Sequence, residues 1–295
     1  MPLPSRQTPA EDVMPSRWLC AAIVAFWLAV NGWLLWHDLL PRWRPGQPPP
    51  VTIDLIDEVS GREYTGANWS VWANGHKAYE AFTWVEPDKD VKDLYVLRFR
   101  LRPGPSVKGV ASAGGGLIKV EVMTSECRVT ADGHFLGLKA KVEAVPTGLS
   151  RVQASVEGEV REGLFHGHYR VEVPVLGVSE GDLEPVALGR NGAVMMAVHP
   201  LQRLPGLRPG QTWTEPSLDL LPGLTGMRMR LNLVPARVLP DVETVRWGSS
   251  DRSCLVVEYR DDAGETRTWV EREGGLVLRQ ETTFWGERWV LQRQR

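Results

Sequence analysis

The sequence predicts a mainly β protein with one N-terminal transmembrane helix and one large antiparallel sheet. Three observations predict it. Residues Trp18–Trp36 read WLCAAIVAFWLAVNGWLLW, an apolar run without Asp, Glu, Lys or Arg. Most of the chain beyond that run falls into short alternating segments bounded by turn residues, the pattern of strands. Outside the first run, no long stretch holds the 3.6-residue apolar period of an amphipathic helix.

The apolar run comes first. At 1.5 Å per residue, a helix over Trp18–Trp36 spans roughly 28 Å, about one hydrocarbon core. Trp18 suits one lipid–water interface, and Trp33, Trp36 and Trp43 suit the other. Phe26 and Trp27 lie within the span. A cleaved signal peptide has a shorter apolar region that ends in a small-x-small site. Here HDLLPRWRP comes next instead, so an uncleaved signal anchor is expected. Arg6 and Arg17 before the run balance Arg42 and Arg44 after it. The basic-residue count therefore leaves orientation open. The short N-tail and the export-like β-domain place residues 1–16 in the cytoplasm. The expected division is then a tail at 1–16, an anchor at 17–40, a stalk at 41–50 and an extracytoplasmic domain at 51–295. The stalk, PRWRPGQPPP, is too rich in proline for helix or central strand. Asn31 fits either a helix–helix contact or a tolerated polar group.

Strands are expected from VTIDLID (51–57) onward. WSVWANG (69–75) turns at Asn74-Gly75, a strong hairpin signal, into KAYEAFTWVE (77–86). LYVLRFRLR (94–102) sets Leu97, Phe99 and Leu101 against Val96, Arg98 and Arg100. Five further runs lie between 117 and 173, with turns at Asp132-Gly133 and Glu162-Gly163. The end reads as a meander: CLVVEYR (254–260), ETRTWVER (265–272), LVLRQETTF (276–284) and ERWVLQR (287–293). Residues 102–116 and 199–226 read as long Gly- and Pro-rich loops, with short helical turns allowed near 218–224.

Composition narrows the function. Apolar content of 43% and charged content of 24% fit a packed domain rather than a disordered one. With a net charge of −2 and its Arg dispersed, the chain lacks the basic patch that nucleic acid requires. There is no G-x-S-x-G elbow, H-E-x-x-H, C-x-x-C or Walker loop, so neither a catalytic residue nor a cofactor is assigned. His166 and His168 share a strand face, because side chains alternate. With His134 from the neighbouring hairpin they could chelate a metal, but no carboxylate or Cys sits nearby in sequence, so the half-exposed polar face of an edge strand is the reading taken and no metal is assigned. Cys127 and Cys254 could pair in an oxidising compartment, or each could be a buried small hydrophobe. LPGLRPGQTW (204–213) reads as a structural turn, with a groove lip as the functional alternative.

The order of anchor, Pro-rich stalk, WSVWANGHKAYEAFTWVE, antiparallel series, GLRPGQTW and LVLRQETTFWGERWVLQR resembles a group of bacterial envelope proteins. These are the lipoprotein-carrier-like (LolA/LolB-like) β half-barrels. The resemblance covers residues 51–295 as a strand pattern and includes no functional residues. It departs in its helical tether. It implies a curved, half-barrel-like sheet around an apolar cavity, at a bacterial inner membrane with the domain in the periplasm. The expected function is non-enzymatic: the curved sheet binds an apolar or amphipathic ligand, or a partner protein, with loops 102–116 and 199–226 as gates. A membrane-tethered hydrolase and a structural accessory module are the alternatives.

Overall fold

The computed structural model describes residues 17–34, 48, 66–104, 118–146, 148, 150–174, 177–188, 192–196, 198–219, 229–261, 264–284 and 286–295. Several expectations fall outside these residues: the strand at 51–57, Trp36, Trp43, the stalk apart from Pro48, most of loop 102–116, and residues 220–224. The chain divides into two compact units, Met1–Pro45 and Gly46–Arg295.

The first unit contains α1, Arg17–Leu34, with no buried residue. Its length and composition suffice to cross a membrane, and it is the one such helix among the described residues. Asn31 Nδ2 donates to the Trp27 carbonyl one turn back at 2.7 Å. The amide is thereby satisfied within its own helix, so Asn31 needs no partner helix.

Among the described residues, the second unit is one sixteen-stranded sheet. Its strands are β1 (Ala67–Ala73), β2 (His76–Pro87), β3 (Leu94–Pro103), β4 (Ile118–Thr130), β5 (Phe135–Pro146), β6 (Val152–Arg161), β7 (Leu164–Val173), β8 (Gly177–Asp182), β9 (Val186–Ala187), β10 (Met195–Met196), β11 (Thr212–Asp219), β12 (Arg230–Trp247), β13 (Ser250–Asp261), β14 (Gly264–Glu271), β15 (Val277–Phe284) and β16 (Glu287–Arg293). The path runs β10-β11-β12-β13-β14-β15-β16-β1-β2-β3-β4-β5-β6-β7-β8, and β9 also pairs with β7. Every pairing is antiparallel except β10–β11, which is parallel. The two ends of the domain meet where β1 pairs with β16, Val71 opposite Leu291. The path ends at β8 and β10 without closing. Most strands are linked to their sequence neighbours, because tight turns join antiparallel strands without a crossover. Asn74 and Gly75 both take positive φ, at 50° and 83°, as do Glu162 and Gly163, at 53° and 77°. Two adjacent left-handed residues make the turn whose twist matches the strands it joins.

Alternation decides what each face carries. On β7, Phe165, Tyr169 and Val171 are buried, while His166, His168 and Arg170 are exposed. Leu97, Phe99 and Leu101 are buried on β3 as the alternation predicts, and Val96 is buried too. The main core runs along one face and includes Trp69, Trp213 and Trp289, each about 1% exposed. On β13, Leu255 and Val257 belong to this core, whereas Cys254 and Val256 join a smaller cluster with Val245, Trp269 and Leu278. Consecutive strand residues point to opposite faces. Cys127 lies in the main core and Cys254 in the smaller cluster, and both are free thiols. The possible disulfide therefore does not form in this structure.

The segment Leu183–Leu204 covers part of the concave face. Leu183 N donates to Gly167 O and Leu188 N to Gly163 O, tying it to β7. Met195 and Met196 then pair with β11 on the opposite edge. Beyond them, Leu204 N donates to Gly275 O and Val277 N to Gln202 O. Ala193, Val194, Met196 and Val198 are buried in the main core along this strap. The sequence points to loops 102–116 and 199–226 as covers of the concave face. Among the described residues, the start of the second serves, and most of the strap precedes it. The rest of that loop is partly regular: β11 carries Thr212–Asp219, so Leu218 lies in a strand rather than a helical turn.

Candidate functional site

Two places in the sheet domain combine space or burial with polar chemistry. The first is the concave side under the strap. His199 follows β10, and its amide donates to Met196 O at 3.0 Å. That turn drops the imidazole against β3 and β4. Its ring stacks on Phe99 at 4.9 Å, and its Nδ1 lies 3.0 Å from Ser125 Oγ. Burial lowers the imidazole pKa to about 4, so His199 is neutral at pH 7. A neutral imidazole beside a hydroxyl resembles half of a nucleophilic pair, but both groups are enclosed. The void beside them, between Leu97, Cys127, Phe135 and Met196, measures about 20 Å³. That is room for one water. Burial also pushes the Cys127 thiol up to about 12, which leaves it an unreactive packing group.

Further round the same face, β11 buries Trp213 and Glu215 two residues apart. The Trp213 ring meets Tyr259 edge-on at 6.2 Å. Burial raises the Glu215 carboxyl to about 7, and the adjacent Trp213 indole offsets part of that rise. Even so, neither Trp213 Nε1 nor Glu215 Oε2 reaches hydrogen-bonding geometry with a partner. Tyr259 is raised by its burial and by the nearby Glu215 charge.

The second place is an open groove of about 810 Å³ on the outer face of β4–β8. Glycines lie on the opposite, inner face beneath it. Gly158 and Gly167 sit directly opposite each other on β6 and β7. A Cβ on Gly158 would stand 2.4 Å from the Phe165 ring and 2.6 Å from His166 O. One on Gly167 would stand 2.7 Å from Leu183. Core side chains occupy the space where those Cβ atoms would stand, so Phe165 and Leu183 pack directly on the strand backbone beneath the groove. Across the groove runs a row of facing polar side chains. Glu126 faces Lys139, Lys139 faces Glu157, Glu157 faces His168, and His168 faces Asp182. Lys139 Nζ is 2.6 Å from Glu157, and His168 Nδ1 is 3.0 Å from Asp182 Oδ1. These groups are mostly exposed, so their pairs contribute little stability.

The residues that the sequence marks as candidates fare differently. His166 and His168 do share the groove, but His134 is not in its lining. His134 instead lies just before β5, its amide donating to Thr130 Oγ1 at 3.0 Å. Among the described residues no three His, Cys, Asp or Glu side chains converge as a ready metal centre. Trp18, Phe26, Trp27 and Trp33 project from α1 and are exposed. In the LPGLRPGQTW string, Gly210 takes a φ of 78° and donates to Val238 O. That turn delivers Trp213 into the core. Ser125, His199 and Glu215 carry no such mark, since no local pattern signals a buried polar residue whose partner lies on a distant strand.

This arrangement defines a class: an open, barrel-like β-sheet domain preceded by an apolar helix. No protein-family model matches the chain, and no curated protein matches it. Among solved structures it is similar to a beta-barrel-like protein of the domain of unknown function DUF1849 from Brucella abortus. The two are 9% identical, the match covers 78% of this chain and 95% of that one, and the TM-score is 0.39. No residue role or activity follows from a likeness at that score.

Proposed function

We propose that the chain is a membrane-anchored, non-enzymatic binding module of the bacterial envelope, with its sheet domain in the periplasm. Its curved sheet would take an apolar or amphipathic ligand. One observation carries this reading: among the described residues, an extensive apolar concave face is covered by an irregular strap. A ligand near His199 has to displace the strap, because only about 20 Å³ remains there. The same small void favours a second reading, in which the sheet domain docks a partner protein and holds no small ligand. A tethered hydrolase gains no support from Ser125 and His199, which substrate cannot reach without strap movement.

The full chain, purified in nanodiscs and analysed by native mass spectrometry, should release a bound amphiphile in stoichiometric amount. Leu97→Asp, which places a charge on the concave wall, should abolish that occupancy. Occupancy that is absent, or unchanged by the substitution, counts against the ligand reading and leaves the partner reading.

Placement has its own check. A C-terminal reporter active only in the periplasm should give full signal, and the mature chain should keep residues 17–34. A cytoplasm-only signal, or an N-terminus beginning after the helix, would overturn the anchor.

A further inference from the structure

We infer that His166 and His168 form a two-point chelate for a borderline divalent transition-metal ion, zinc(II) or copper(II), on the outer face of β7. Three observations converge on it. The two residues are separated by Gly167 on one strand, so both side chains leave the same face, and both are exposed. They line the open groove of about 810 Å³, which leaves room above the rings. His168 is also already oriented. Its Nδ1 meets Asp182 Oδ1 at 3.0 Å, across the β7–β8 register that sets the two residues opposite each other.

That third contact carries the most weight. A carboxylate only accepts, so in the neutral ring Nδ1 is the donor. The lone pair is then on Nε2. Metal-binding histidines commonly hold the second nitrogen on a carboxylate in this way, which fixes the tautomer and makes the free nitrogen a better donor. Asp182 is thus a positioning residue rather than a ligand. Glu157 and Glu159 stand opposite His168 and His166 on β6, but each already has a cation, Lys139 and Arg161 respectively. They add negative field without being free ligands. Since no third protein donor converges among the described residues, water completes the coordination. Such a site exchanges its metal reversibly, unlike a closed four-ligand structural centre. Imidazole donors select zinc and copper over calcium or magnesium.

The test uses the full, untagged chain in detergent micelles after chelator dialysis. Copper(II) is the probe for electron paramagnetic resonance, and zinc(II) for calorimetry. One saturable site is expected, with nitrogen hyperfine structure from two imidazoles. His166→Gln and His168→Gln should each lose one nitrogen and weaken binding at least about tenfold, while His76→Gln, at the exposed start of β2, changes nothing. Asp182→Asn should keep both nitrogens and weaken binding roughly tenfold, the usual size of an outer-partner effect. All the substituted side chains are exposed, so unchanged circular dichroism is expected and confirms the fold. No saturable site, or full affinity in the His166→Gln/His168→Gln double variant, would overturn the chelate. Full affinity in Asp182→Asn would overturn the positioning role.

Discussion

Glu215→Gln should stabilise the domain at alkaline pH and leave it nearly unchanged in acid. The carboxyl is 4% exposed, and burial raises it from 4.5 to about 7. The unfolded chain therefore releases this proton near pH 4.5, while the folded chain holds it until about pH 7. The stability linked to the protonated group is complete below the unfolded value and is lost as pH rises through the folded one. At 1.36 kcal/mol per pH unit, the loss amounts to about 3 kcal/mol by pH 8. Glutamine has no proton to lose and should escape it. His199 works in the opposite direction, being lowered from 6.5 to about 4. Its contribution is full above pH 6.5 and disappears as pH falls through about 4. Together the two groups predict a stability plateau between about pH 4.5 and 6.5, where their slopes cancel. Urea titrations of both proteins from pH 4 to 9 measure this directly. Parallel pH profiles for wild type and Glu215→Gln would mean that the carboxyl is solvated.

Gly158→Ala should cost about 3 kcal/mol or more, at the upper end of overpacking effects. A methyl group at this position meets His166 O as well as the Phe165 ring. A side chain can turn away, but a strand carbonyl held in its ladder cannot. Phe165→Ala combined with Gly158→Ala should therefore recover only the ring's share of the clash, leaving the double variant worse than Phe165→Ala alone. Denaturant melts of the three variants decide the point. If the double variant matches Phe165→Ala, the backbone at Gly158 has room for a methyl group after all. The substitution also bears on the outer surface, since Gly158, His166 and His168 line the same groove. A partly folded variant should accordingly lose groove-dependent metal binding before it loses strand content.

Several features are legible in the sequence because they are local. Asn74-Gly75 and Glu162-Gly163 announce their turns, since few residue pairs accept two positive φ values in succession. The alternation of Leu97, Phe99 and Leu101 announces a buried strand face, because the side-chain period of a strand is fixed by the backbone. The same period puts His166 and His168 side by side without any knowledge of the sheet. Other features are not legible. Among its described residues, the strap from Leu183 to Leu204 has only two-residue strands of its own, so nothing in its pattern marks it as core. Its burial comes from elements far away in sequence, such as β3 and β4 beneath His199.

By itself, the sequence determined the apolar helix, the antiparallel strand series and the inward side of β3. Each is set by residue spacing over a few positions. Only the tertiary structure decided that Cys127 and Cys254 face opposite sides of the sheet. It alone paired β1 with β16, and it alone gave His199 to Ser125, 74 residues away. The same holds for Asp182, which reaches His168 only because β8 returns along β7. The physical reason is common to all four. A strand's pattern states which face is apolar, but its neighbours are chosen by the assembly of the whole sheet, and two polar groups become a site only where that assembly brings them within hydrogen-bonding distance.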